Sequence, residues 1–426
     1  MLWFICFFNY ADRTAISAIL PVLQSEYNLS KTEQGHIVSA FMWVYALTAP
    51  FAGLVVDRFA RKRIILSGLY VWSIVTGFTA LCSKVWQFVL VRGAEGLGET
   101  FYFPASMSLV SDYHDRRTRS RAMGLHQTSV YAGTIGGGAL AGWMAQHFGW
   151  EAPFVVFGVA GCLLGLMLAW FIREPERDEA ERQLAREAGE PAPPAPAPSS
   201  VAWSELPREI LVTTVDLGRV AAELSRRPTA LCLMAAFIGA NCVAMVFLGW
   251  MPSFLKEQFG MNLALSGFSG TFYIQIASMI GAIVGGTSAD ALRKRSAGGR
   301  IFVQSLGLLL GAPFIFLCGW TRELSVLIPA MACFGFFKGI YDANIWAGLY
   351  DFVPVERRGS AVGLMNMLGW VGGALGVEAI GRAADRGVTL GAAIASTAVI
   401  YLLVAVLLAV TAWLFAPRDA VTGSAA

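Results

Sequence analysis

The chain of 426 residues is 56% hydrophobic and only 14% charged, with 32 Lys and Arg against 29 Asp and Glu for a net charge of +3. Ordinary soluble domains carry roughly 25% charged residues, so the two or three soluble domains that this length would otherwise suggest are excluded. The chain is read as a membrane protein whose length counts helices.

Runs of about 20 apolar residues between short polar breaks place spans at 3–24, 34–56, 63–83, 85–110, 120–145 and 151–172, and again at 229–254, 265–290, 301–320, 324–350, 359–381 and 389–415. Stretches such as LLVAVLLAVTAWLF lack the alternating polarity of transmembrane strands, whereas helices satisfy their own backbone hydrogen bonds in lipid. The expected fold is therefore an all-α membrane protein of twelve transmembrane helices in two pseudo-symmetric six-helix bundles. Residues 1–172 form the first bundle, 173–228 a linker, 229–416 the second bundle and 417–426 a tail. Met1 stands almost at the start of the first span with no basic leader, so no cleavable signal peptide is expected, and a start codon placed too far downstream is the alternative.

In the first span, NYADRT sets Asp12 beside Arg13 within an otherwise apolar or uncharged stretch. A charge at the bilayer centre costs about 2.5–3.5 kcal/mol even on the lenient insertion scale, so both must turn inward and find partners. Adjacent residues on a helix point about 100° apart, so the two can address different partners. The fourth span, VLVRGAEGLGETFYFPA, carries Arg92, Glu95 and Glu99. By the same rotation all three share one face two turns long, which cannot meet lipid. The pairs Asp12–Arg92 and Arg13–Glu99 are expected. They are either a clamp between helices 1 and 4 or a proton-exchanging device, since a carboxylate in a low-dielectric cavity beside an Arg can switch protonation near neutral pH.

Connections 2–3, 4–5, 8–9 and 10–11 carry clusters such as Arg61-Lys62-Arg63 and Arg293-Lys294-Arg295, while the opposite loops carry few cations. Both termini are therefore expected on the cytoplasmic side. The linker runs from REPERDEAERQLAREAGE through PAPPAPAPSS, a tract that favours extended polyproline II, to an amphipathic stretch over 204–226 that can lie on the membrane surface. A plain tether is the simplest role for it.

The two halves repeat each other. GLVVDRFARKR at 53–63 returns as GTSADALRKR at 286–295, with the same Gly-to-Asp spacing, and DYHDRRTRSRAMGL at 112–125 aligns without gaps on DFVPVERRGSAVGL at 351–364. Such a duplication is the sign of a transporter whose halves rock around a midplane site. With these motifs the chain resembles the major facilitator superfamily over essentially its whole length, and GLVVDRFARKR looks like that superfamily's loop 2–3 signature, with Ala60 where Gly is usual. Asp57, Arg61 and Asp290 in the repeated loop are candidates for a cytoplasmic gate, since a carboxylate at a helix end can hold cations or a neighbouring helix terminus when that side closes. For the cations, headgroup anchoring is an equal alternative.

NYADRT together with RGAEGLGETFYFPA looks like the anion:cation symporter branch, whose members move sugar acids and other organic anions with protons. The resemblance implies Arg13 for the substrate carboxylate, proton-carrying acids at Asp12 and Glu99, and Arg92 as partner of Asp12. Glu95 is less expected in that pattern and its role stays open. Trp346 and Asn366, with Gln127, stand where the resemblance implies substrate contacts, and Tyr10 and Tyr45 can bond hydroxyls and pack on a sugar backbone, with ordinary helix packing as the alternative for Tyr45 and Trp346. Lys338 and Asp342, one turn apart in FFKGIYDANIW, are either self-neutralising or supply a second cation suited to a dicarboxylate or phosphorylated anion. Glu378 is an acid without an evident partner.

The reading is a proton-coupled symporter of a small organic anion in the inner (plasma) membrane, with protons and membrane lipid as its other partners. It is not expected to be an enzyme or to bind nucleic acid, and a monomer is expected. The spinster family shares RGxxGxGE on helix 4, so a spinster-like exporter of lysolipids or other amphiphiles, and a transporter-shaped sensor, remain as alternatives. Seven cysteines without a CxxC spacing and four scattered histidines support no metal site, hydrolytic chemistry or cofactor.

Overall fold

The computed structural model describes residues 1–115, 117–176, 179–188, 206–354 and 357–419, and every regular element among them is a helix. In the first half α1 spans Leu2–Tyr27, α2 Lys31–Arg58, α3 Arg61–Thr79, α4 Val85–Thr100, α5 Tyr102–Tyr113, α6 Arg119–Phe148 and α7 Ala152–Phe171. After α8 (Glu179–Ala188) and α9 (Leu206–Leu224), the second half runs through α10 (Pro228–Phe259), α11 (Leu263–Arg293), α12 (Gly299–Trp320), α13 (Leu324–Asp342), α14 (Ile345–Tyr350) and α15 (Arg358–Asp385). It closes with α16 (Leu390–Ser396), α17 (Ala398–Val410), a π turn over Thr411–Phe415 and α18 (Ala416–Asp419). The expected fourth, tenth and twelfth spans are each broken rods, so twelve crossings are built from more than twelve helices. Eight crossings are long and apolar enough to be recognised by hydropathy alone. The other four are α1, α3, α4–α5 and α6, all in the half that carries NYADRT and RGAEGLGE.

The duplication extends to turn chemistry. α1 ends at Asn28 in the left-handed region (φ 52) and α2 begins at Ser30, whose side chain accepts from the Glu33 amide in a reciprocal capping box. The equivalent turn has Gly260 at φ 63 and then Asn262, whose side chain accepts from the Leu265 amide. A left-handed residue satisfies the carbonyls that end one helix, and a capping oxygen two residues on satisfies the amides that begin the next.

Packing repeats in the same way. α1 lies on α6 as α10 lies on α15, α2 on α4 as α11 on α13, and α3 on α7 as α12 on α17. Small residues bring the backbones together: a Cβ at Gly281 or Gly285 of α11 would overlap the backbone of Phe336 or Ile340 in α13, and one at Gly335 or Gly339 of α13 would overlap Ile274 or Ser278 in α11. The two halves meet mainly along α2 with α15 and α6 with α11.

At the end bearing the basic loops, each half holds its own charges. Arg61 pairs with Asp112 at 2.5 Å and with Glu174 at 2.9 Å, and Asp351 pairs with Arg293 at 2.9 Å and Arg300 at 3.1 Å. Asp290 pairs with Arg300 at 2.5 Å. The side chain of Asp57 lies outside the described residues. The amphipathic stretch expected over 204–226 forms α9, which reaches both halves: Glu209 meets Arg58 at 3.0 Å, and Asp216 and Glu223 meet Arg357 at 3.1 and 3.4 Å. Leu211, Val212 and Val215 on α9 are exposed. PAPPAPAPSS lies outside the described residues.

The opposite end is drawn together across the halves. Lys31 at the start of α2 pairs with Glu257 of α10, and the Lys31 and Thr32 amides donate to Asp385 of α15 at 2.9 and 2.8 Å. Gly142 of α6 meets the Leu263 backbone, and Gly138 meets Gly267.

Candidate functional site

The charged residues of α1 and α4 converge in the middle of the first half. The glycines of RGAEGLGE allow this, because Gly96 lies under the Phe41 carbonyl of α2 and Gly98 against Trp72 of α3, so α4 sinks between two helices and its charged face turns toward α1. Arg92, Glu95 and Glu99 are 2%, 0% and 0% exposed, as buried as any aliphatic core residue.

Arg13 donates through Nε to Glu99 at 2.5 Å, as the sequence leads one to expect. Arg92, however, pairs with Glu95 of its own helix, one turn on, not with Asp12. Glu95 sits three residues from Arg92 and reaches it within one helix, whereas Asp12 would have to reach across from α1. Glu95, left open above, is thus the direct partner of Arg92. Three acids face two guanidiniums, and Asp12, 2% exposed, is the one outside an ion pair, with Oδ1 making no well-formed hydrogen bond. Arg13 Nη2 and Glu99 Oε1 are likewise buried without one.

Aromatic rings complete the surroundings of Arg13. Its guanidinium carbon lies 4.5 Å from the Tyr10 ring centroid, 5.0 Å from Phe41, 5.2 Å from Tyr45 and 5.9 Å from Trp370. Trp370 comes from α15 in the second half and packs on Tyr45 with centroids 4.7 Å apart. The cage is thus closed from both halves around a cation whose outer nitrogen is unsatisfied. Such faces attract a cation electrostatically and present apolar walls to a ligand's carbon skeleton.

The remaining candidates are spread around this centre. Gln127 is half-buried on α6, one turn before Tyr131, and Asn366 is half-buried on α15, one turn before Trp370. Trp346 sits edge-on to Phe237 with centroids 5.3 Å apart, a packing contact. Lys338 pairs with Asp342 on α13. Glu378 is not partnerless: one oxygen accepts from Ser39 Oγ and Trp43 Nε1 of α2, both at 2.8 Å, and the other from Arg382 at 2.5 Å. It stands in the seam between the halves toward the closed end. Its partners on α2 could not be read from the sequence because they are some 340 positions away in the chain, whereas Arg382, one turn on, was within reach of a local reading.

Other residues were also missed. Asn9, 0% exposed, stands three residues before Asp12 and is signalled by the motif itself. Asp112 and Asp351 are signalled by the repeat, since they occupy matched positions and bind matched arginines. Phe41 and Trp370 carry no local signal beyond being aromatic. Among the described residues no group of three or more His, Cys, Asp or Glu is placed to hold a metal ion.

A family model described as the Major Facilitator Superfamily matches residues 2–377. Among curated proteins, the probable galactarate/D-glucarate transporter GudP of Escherichia coli (strain K12) is 26% identical over 403 residues, covering 89% of this chain and 85% of that protein. The hexuronate transporter of Bacillus subtilis (strain 168) is 25% identical over 383 residues, covering 89% and 85%. Among solved structures, a bacterial homolog to the human lysosomal transporter Spinster, inward-facing and unoccupied, superposes with a TM-score of 0.80 at 18% identity over 99% of this chain and 98% of that one. A D-xylose–proton symporter gives 0.70 at 16% identity over 97% and 96%.

Proposed function

The chain belongs to the major facilitator superfamily, and from that premise we propose that it imports a small organic anion of the sugar-acid class by proton-coupled alternating access. It is a multi-pass membrane transporter and not an enzyme. The observation that carries the reading is Arg13, a buried guanidinium held by Glu99 on one side, caged by aromatic rings from both halves and left with an unsatisfied Nη2. The relatives named for galactarate, D-glucarate and hexuronate support the substrate class.

A substrate carboxylate takes the free edge of Arg13, making the charge-assisted contacts that a guanidinium favours. That places an anion beside Glu99 and Asp12, and adding negative charge to a low-dielectric cluster is strongly unfavourable unless a proton enters with it. Asp12, outside either ion pair, is the acid to take that proton. Residues 1–172 and 229–416 are the rocking units, residues 173–228 tether them, and the basic end faces the cytoplasm of a bacterial inner membrane. On this reading the opposite end, drawn together by Lys31, Glu257 and Asp385, is the one closed to the outside.

The test is uptake of labelled galactarate, glucarate and glucuronate into proteoliposomes carrying an inward proton gradient. Accumulation should be abolished by a protonophore. Asp12→Asn should keep substrate exchange at equal concentrations but lose accumulation, whereas Arg13→Ala should lose both. Accumulation that ignores the proton gradient would remove the coupling. Equal loss of binding and folding in the two variants would reduce the pair to a structural clamp.

A further inference from the structure

The charges of α9 are sorted by side. Glu209, Asp216 and Glu223 recur every seven residues, so they point within about 40° of one another. All three turn onto the protein: Glu209 meets Arg58, the last residue of α2, and Asp216 and Glu223 meet Arg357, which caps α15. Val220 and Leu224 are buried, and Arg227, just past the helix, donates to the Phe352 carbonyl at 2.9 Å. The helix is thereby fixed to both halves of the molecule.

The outer side carries the cations and the aliphatic residues. Arg208, Val212, Val215 and Arg219 point within about 60° of one another, with Leu211 beside them, and all five are exposed. Leu211, Val212 and Val215 are 64%, 54% and 48% exposed, and Arg226 adds a third exposed cation just past the helix. Because the acids of α9 are matched by Arg58 and Arg357, this side presents only positive charge and apolar surface. Such a face suits a partner that offers apolar depth and negative charge together. α9 lies where that partner is at hand, since Arg58 ends one membrane-crossing helix and Arg357 begins another.

We propose that the outer side of α9 docks on anionic phospholipid of the bilayer around the chain. Leu211, Val212 and Val215 enter the boundary between headgroups and acyl chains, and Arg208, Arg219 and Arg226 meet the phosphates. A strap that only joins the halves needs the inward contacts and has no use for an apolar, basic outer side. In a symmetric contact between two copies the same face meets itself, setting arginine against arginine while every acid of α9 is already engaged. The docking fastens to lipid a helix that both halves hold, and it does not depend on which anion is carried.

Spin labels on the full chain, in a background lacking native cysteines, test this. Labels at Val212 and Val215, with a reference at the exposed Ser296 between α11 and α12, report collision with membrane-dissolved oxygen and with a water-soluble nickel chelate. The protein is placed one copy per nanodisc in phosphatidylcholine alone or mixed with phosphatidylglycerol. Phosphatidylglycerol should raise oxygen collision and lower nickel collision about threefold at Val212 and Val215, and leave Ser296 unchanged. Arg208→Gln/Arg219→Gln/Arg226→Gln should remove that dependence without changing the melting temperature in detergent, since all three side chains are exposed. Labels that face water in both lipids would overturn the docking. Equal burial in both lipids, or a phosphatidylglycerol effect that survives the triple variant, would overturn the role of the arginines. Protection seen only in nanodiscs holding two copies would assign the face to a second copy instead.

Discussion

Arg92 and Glu95 illustrate how costly it is to break a buried pair and how little the pair need add by itself. With side chains 2% and 1% exposed, removing one partner strands a charge where water cannot reach it, a loss of about 3–5 kcal/mol, whereas replacing both by apolar residues is often neutral. Arg92→Met should therefore lower the melting temperature in detergent sharply, and Arg92→Met/Glu95→Leu should recover most of it. A double variant no more stable than the single one would mean that Arg92 is held chiefly by Asp12 and Glu99. The same logic sets Asp12 apart: with both arginines already committed to glutamates, it is the acid that neither ion pair holds.

Glycine does for the helices what the ion pairs do for the site. In α11 and α13, Gly281 and Gly285 lie against Phe336 and Ile340, and Gly335 and Gly339 against Ile274 and Ser278, at four-residue spacing on both sides, so that each Cβ position is occupied by the partner's backbone. Without a hydrophobic driving force between helices in lipid, such close packing is what holds them. Gly335→Leu should separate α13 from α11, displace Lys338 and lower the melting temperature by several degrees or prevent folding. Gly53→Ala, where no heavy atom lies within 4 Å of the added Cβ, should be neutral or slightly stabilising, because a glycine in an open helical position costs about 0.8–1 kcal/mol relative to alanine. Similar behaviour of the two variants in thermal unfolding would remove the packing argument.

For the molecule as a whole, the closed end is a set of contacts that must all open together if the proposed alternating access operates. Glu378 joins α15 to Ser39 and Trp43 of α2, and Asp385 accepts from the α2 amides of Lys31 and Thr32. Glu378→Leu/Asp385→Ala removes both links and leaves the helix packing intact. Spin labels at the exposed positions Glu26 and Gln258, in a background lacking native cysteines, report the separation of the halves at that end. The double variant should shift the distance distribution outward. An unchanged distribution would assign closure to the glycine contacts of α6 with α11 and not to these acids.

Much of this architecture was legible in the chain. Twelve crossings, the duplication and the inward face of Arg92, Glu95 and Glu99 follow from hydropathy, spacing and the cost of charge in lipid, which act on each segment separately. The repeat even carried the matched Arg61–Asp112 and Arg293–Asp351 pairs, which position alone could have suggested. Only the tertiary structure decided that Arg92 takes Glu95 and leaves Asp12 outside the ion pairs, that Trp370 closes the cage on Arg13, and that Glu378 binds α2. Each of these depends on which of several chemically adequate partners the folded backbone brings into contact, within about 3 Å for a hydrogen bond and within about 6 Å for a cation over a ring. For Trp370 and Glu378 that choice is made by packing between segments hundreds of residues apart, which no local pattern encodes; for Arg92 it is made by where α1 comes to lie beside a partner already one turn away.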